Sequence, residues 1–209
     1  VQVELLAITP DAERLIEQAG RTCYMSHDRI TEESSGKFIR MLISKGHLSV
    51  LEHAYATFRI SGVSRASTHQ LVRHRLCSFS QKSQRYVKEA ENGFVIPPTV
   101  SRSDDALAVF RESVAASTQA YLQLLSLGIP REDARFVMPN ATRSELVLSA
   151  NFRELRHVVM TRGSREAQWE VRGIVTEMLG LLKQHAPNVF GDLSTSGDDL
   201  IEKHATKRS

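Results

Sequence analysis

The stretch Gln70-Leu71-Val72-Arg73-His74-Arg75-Leu76-Cys77-Ser78-Phe79-Ser80-Gln81-Lys82-Ser83-Gln84-Arg85-Tyr86 sets fixed cations and a histidine among hydroxyls and amides, with no carboxylate. On a helix Gln70, Arg73 and His74 share one face by i, i+3 and i+4 spacing, while Arg75 points elsewhere, so the triplet can address two different anions. Leu76 to Arg85 is serine-rich and reads as a loop. Arginine forks combined with hydroxyls and loop N–H groups are how proteins hold phosphate oxygens. A solvated basic helix face is the plain alternative, and the surrounding composition argues against it.

That composition is lopsided. From His53 to Lys88 there is no Asp or Glu, and the block carries +7 in a chain whose net charge is +3, leaving the remaining residues at −4. An acid-free block inside a slightly acidic chain has the character of a built anion site. A nucleic-acid-binding module is the rival reading, since Phe79 and Tyr86 are interleaved with the cations and could stack on bases. Neither a helix-turn-helix nor an RNA-recognition signature accompanies them.

Working outward, Val1, Val3 and Leu5 alternate as a strand, and Thr9-Pro10-Asp11 supplies a cap and an N1 proline for a helix ending at Gly20. A second helix runs from Thr31 to Gly46 with Phe38, Ile39, Leu42 and Ile43 on one face. Ala54 to Ile60 alternates as a half-buried strand closed by Gly62, and Ser64 caps a helix to about Arg75. Ser103 opens a long helix with Leu107, Phe110, Val114, Tyr121 and Leu125 turned inward. A short helix covers 131–138 and a strand runs through 145–148. Asn151 caps a helix to Arg162, and Ser164 caps the last helix, which Pro187 ends.

The 209 residues, 41% hydrophobic and 24% charged, suit a single globular domain and exclude disorder as the main state. The expected fold class is α+β: one domain, residues 1–191, with a mixed or antiparallel sheet flanked by long helices. Residues 192–209 have almost nothing to bury and are expected to form a mobile tail. Two cysteines, Cys23 and Cys77, make a disulfide scaffold unsuited to this chain, and no membrane span or signal peptide is legible, so a cytoplasmic setting is expected. No Gly-x-Gly pair occurs, which removes the Rossmann fingerprint and the P-loop, and no histidine spacing suits a metal.

A second cationic cluster lies on the helix after Asn151, where Arg153 and His157 are i, i+4 neighbours and Arg162 closes the C-terminal turn. Cap, surface pair and helix-dipole arginine explain it as well as ligand binding does. Arg73-His74-Arg75, seven residues and then Ser83, with Arg85 beyond, resembles the signature of flavin-dependent thymidylate synthases. Gly46-His47-x-Ser49-x-Leu51-Glu52-His53 and Gly62-Val63-Ser64-Arg65 resemble the family's preceding segments. Ala134-Arg135-x-x-Met138-Pro139, Asn151-x-Arg153 and Ala167-x-Trp169-Glu170 resemble the following ones. The likeness spans roughly residues 1–190.

The resemblance implies methylation of dUMP to dTMP, with 5,10-methylenetetrahydrofolate as carbon donor and NADPH as reductant through FAD bound without a Rossmann turn. It implies Gln70, Arg73, Gln81, Ser83, Arg85, Arg135 and Arg162 for dUMP. For FAD it implies Tyr55, Arg73, His74, Arg75, Gln81, Asn151, Arg153 and His157, with His53 near the flavin and folate. Arg162 is the expected catalytic residue, its charge favouring an anionic uracil. Gln81 stands where some members carry Glu, which implies hydrogen bonding there. Ser83 suits phosphate binding better than nucleophilic attack, because no base adjoins it. Cys77 reads as a small buried residue and Trp169 as core. The family also implies a homotetramer with shared sites, which suits two cationic clusters that need not meet within one chain. No metal, nucleic acid or membrane partner is expected.

Overall fold

A computed structural model describes residues 1–87 and 93–203; Lys88 of the basic block and the end of the expected tail, 204–209, lie outside them. The order is β1 (Gln2–Ile8), α1 (Ala12–Cys23), α2 (Ser34–Ser44), β2 (Tyr55–Ser64), α3 (Arg65–Leu71), β3 (Ser78–Gln81), α4 (Pro98–Ser101), α5 (Asp104–Ser126) and α6 (Arg131–Ala134). It continues with β4 (Arg143–Asn151), α7 (Phe152–Arg162), α8 (Trp169–His185), α9 (Pro187–Phe190), β5 (Leu193–Ser196) and β6 (Leu200–Lys203). The expected α+β class holds, and every pairing in the principal sheet, ordered β1-β2-β4-β3, is antiparallel.

Period-2 patterning explains the sheet. Ala56, Phe58 and Ile60 of β2 are buried opposite Ala150, Leu148 and Leu146 of β4. The alternate residues Arg59 and Glu145 pair at 2.7 Å on the other face. Apolar faces of α1, α2, α7 and α8 cover the buried side in one continuous core. Burying a phenylalanine such as Phe58 completely contributes on the order of 2–3 kcal/mol.

Several elements depart from expectation for identifiable reasons. Strand β2 does not stop at Gly62: a φ of +70° there carries a bulge between Ser61 and Val63, and the strand continues to Ser64. The expected loop 76–85 contains β3, because residues 78–81 complete the sheet against β4. Thr9 does not cap α1; its hydroxyl accepts from Tyr55 N at 2.9 Å and ties β2 to the end of β1. Ser164 does not cap α8, whose first residue is Trp169; its hydroxyl donates back to Thr161 O at 3.1 Å. Trp169 itself is half-buried. In α5 only Tyr121 is fully buried, and Leu107, Phe110, Val114 and Leu125 are half-buried, because the helix packs chiefly on α4, α6 and the turn at 135–137.

Residues 193–203, read as having little to bury, form a β5–β6 hairpin that buries Leu193. Ile201 N donates to Gly163 O at 2.9 Å, directly after Arg162. A Cβ on Gly163 would stand 2.6 Å from the Ile201 side chain, so only glycine permits this approach.

Candidate functional site

The site is built on α3. Ser64 caps it by accepting from Ser67 N at 3.1 Å. The buried Glu170 of α8 in turn accepts from Ser64 N at 2.7 Å and from the Ser64 hydroxyl at 2.5 Å. A carboxylate at a helix N-terminus is favoured by the dipole. Here it also fixes the start of the helix that the Arg-His-Arg triplet follows.

Helix α3 ends at Leu71 rather than near Arg75, so the expected common helix face of Gln70, Arg73 and His74 does not form. His74 N bonds Leu71 O and Cys77 N bonds His74 O. This turn drives His74 inward to 6% exposure and leaves Arg73 and Arg75 exposed. Arg162, at the last position of α7, donates from Nε to His74 Nε2 at 2.9 Å and from Nη2 to Gln70 O at 2.9 Å. The His157 ring meets His74 edge-on at 5.6 Å between centroids. The two cationic clusters therefore meet inside one chain, which corrects the expectation that they need not.

Electrostatics follow from that packing. Burial, then the charges of Arg162 and His157, push the His74 imidazole down to about 4, so it is neutral at physiological pH. Burial and then the charge of Arg73 hold the Arg162 guanidinium below its ordinary pKa, yet an arginine keeps its charge in proteins. Burial and the nearby Glu154 carboxylate push the Cys77 thiol up to about 12, so it is an inert core group.

Gln81, Ser83, Arg85 and Arg135 lie around the other end of β3. The Gln81 amide nitrogen donates to Thr68 Oγ1 at 2.7 Å and Ser144 Oγ at 3.2 Å, which leaves its carbonyl oxygen as the available group. Ser83 Oγ accepts from Arg85 N at 3.2 Å. Arg85 Nε donates to Glu132 Oε2 at 2.8 Å, and Arg135 Nε to Glu132 O at 3.0 Å. The block without acids in sequence thus meets acids in space.

Tyr55 and Asn151 are register partners where β2 starts and β4 ends. Asn151 Oδ1 accepts from Glu154 N at 2.9 Å as the cap of α7. Arg153 donates to Glu52 at 2.5 Å, beside the exposed His53. Tyr55, Arg73, Arg75, Arg153 and His157 are each exposed, and exposed guanidinium, imidazole and phenol groups are able to donate to anionic oxygens. Among the described residues no group of three or more His, Cys, Asp or Glu is placed to hold a metal, and no helix is long and apolar enough to cross a membrane.

Glu132 and Glu154 do not stand out in a sequence marked by its cations, and Glu170 stands out only as part of the segment Ala167-x-Trp169-Glu170. For Glu154 the only signal was its place three residues after a capping Asn151, which speaks of helix starts rather than sites.

Comparison with known proteins places this arrangement in context. The family model described as "Thymidylate synthase complementing protein" matches residues 4–188. A flavin-dependent thymidylate synthase of Geobacter sulfurreducens is 44% identical over 200 residues, spanning 92% of this chain and 86% of the relative. One from Clostridium tetani is 39% identical over 213 residues, spanning 91% and 85%. Among solved structures, thymidylate synthase X of Helicobacter pylori with FAD and dUMP has a TM-score of 0.73 at 28% identity, covering 91% of this chain and 97% of that one. A UMP/dUMP methylase from Streptomyces cacaoi bound with 5-Br dUMP has a TM-score of 0.83 at 24% identity, covering 91% and 93%, a likeness of fold.

Proposed function

We propose that this chain, which belongs to the flavin-dependent thymidylate synthase family, methylates dUMP to dTMP, taking the carbon unit from 5,10-methylenetetrahydrofolate and reducing equivalents from NADPH through FAD. The observation that carries this reading is the anchoring of Arg162. A guanidinium held by His74 and Gln70 has spent one N–H on each and keeps three. Next to a pyrimidine, those donors and a fixed positive charge favour the N3-deprotonated or enolate-like ring, which raises electron density at C5. Because Arg162 is already oriented, little reorganisation opposes that stabilisation.

The nucleotide phosphate is assigned to Ser83, Arg85 and Arg135. Arg85 and Glu132 are 53% and 48% exposed in their side chains, and such surface pairs contribute little. Exchange of the Glu132 carboxylate for a dianionic phosphate is therefore inexpensive. Gln81 presents its carbonyl oxygen to the base or flavin. Arg73, Arg75, Tyr55, Asn151, Arg153 and His157 would hold FAD, with His74 as the buried support behind them and His53 on the folate side. Bound FAD supplies the hydride chemistry that side chains lack.

A homotetramer with shared sites belongs to the same proposal. Its support is α5, whose length of 23 residues leaves Val109 and Leu122 exposed, with Leu127 and Phe136 beyond it. A cytosolic setting is supported by two free thiols. The test is direct. Protein purified with FAD is expected to be yellow and to show dUMP-dependent NADPH oxidation. Colourless protein indifferent to FAD that binds oligonucleotides with steep salt dependence would overturn the reading.

A further inference from the structure

We propose that Glu154 is a positioning residue for Arg162, acting through the proton it fixes on His74. The inference rests on the reading of Arg162 as catalytic. Glu154 occupies the third position of α7, where a carboxylate gains from the helix dipole while pointing to solvent. It is instead 6% exposed. Its carboxylate faces His74 Nδ1 at 3.6 Å and the Cys77 thiol at 4.0 Å. A buried carboxylate persists only where its partners offset its lost hydration, and a 4.0 Å thiol contact is weak.

The protonation pattern follows by elimination. Arg162 Nε–H can only donate, so His74 Nε2 must accept and be bare. His74 is buried beside the cation, which keeps the ring neutral, so its one proton sits on Nδ1, the atom facing Glu154. The carboxylate favours that tautomer, and the tautomer supplies the acceptor that orients Arg162. The groups facing this pair are His157 and Arg162 from α7, Cys77 from the turn before β3, and Arg73 through its charge on Arg162. With the carboxylate removed, the alternative tautomer would set an N–H against the Arg162 N–H and release one of its two anchors.

The test is imidazole 15N NMR on the full chain loaded with FAD, with His74 assigned by the signal lost in His74→Gln. The wild type is expected to show Nδ1 protonated and Nε2 bare. Glu154→Leu, which removes the acceptor, is expected to mix the tautomers and lower kcat at least tenfold with KM for dUMP within about twofold. Glu154→Gln keeps a carbonyl acceptor and is expected to restore the wild-type tautomer and most of the rate. A wild-type His74 protonated on Nε2 overturns the proposal. So does a Glu154→Leu variant with unchanged tautomer and rate. Wild-type protein that fails to turn over dUMP contradicts the functional reading instead, and the tautomer measurement separates the two failures.

Discussion

Arg162 Nε donates to His74 Nε2 at 2.9 Å, joining residues 88 positions apart. The bond closes the gap between the end of α7 and the turn after α3. It demands a neutral histidine and an arginine of fixed orientation, and each residue depends on the other.

Arg162→Lys is therefore not a conservative change. An ammonium cannot donate to His74 and Gln70 O while presenting a planar fork outward. We expect kcat to fall by about 10²–10³, the loss typical of removing one transition-state donor. Thermal midpoint measured on the same preparation is expected to shift only slightly, since Arg162 is only half-buried.

Stability should respond to the same histidine. In the folded chain His74 titrates at about 4, against 6.5 for the free group. Between those values the unfolded chain takes up a proton that the folded chain refuses. Stability is complete above about pH 6.5 and falls as the pH drops towards 4, by up to about 3 kcal/mol for this group. Urea unfolding of wild type and His74→Gln from pH 7.5 to 4 checks this: the variant should lose distinctly less stability across that window.

The two thiols should separate by reactivity. Cys23 is exposed and Cys77 is buried with its thiol pushed up to about 12. A chromogenic disulfide reagent should titrate one thiol per native chain and both after unfolding. Rapid reaction of both in the native state would show that the packing around Glu154 is open.

Gly163→Ala should disturb the end of α7. The new methyl would stand 2.6 Å from Ile201, so the β5–β6 hairpin must move. Overpacking of this kind costs about 1–3 kcal/mol. Because Gly163 follows Arg162, kcat is expected to drop together with the thermal midpoint, whereas Gly197→Ala, with open space around it, should leave kcat unchanged.

Much of this architecture was legible in local patterning. Alternation marks β1 and β2, a strand is legible through 145–148 within β4, and Ser64, Ser103 and Asn151 cap their helices as hydroxyl and amide side chains do. What escaped depended on partners distant in sequence. Strand β3 is serine-rich and forms because β4 offers an edge, so its own residues read as loop. The helix end at Leu71 and the inward turn of His74 depend on Arg162 and Glu154, neither visible from the triplet itself. Charge counting likewise isolated the cations, while Glu132 and Glu52 approach them only in the folded chain.

The proposed activation of dUMP at C5 by an anchored Arg162 can be followed by the release of tritium from dUMP labelled at C5. Holoenzyme with methylenetetrahydrofolate and NADPH should release the label as dTMP forms. Arg162→Ala, still yellow and folded, should release it at least a hundredfold more slowly. Equal release by the two proteins would contradict that role of Arg162.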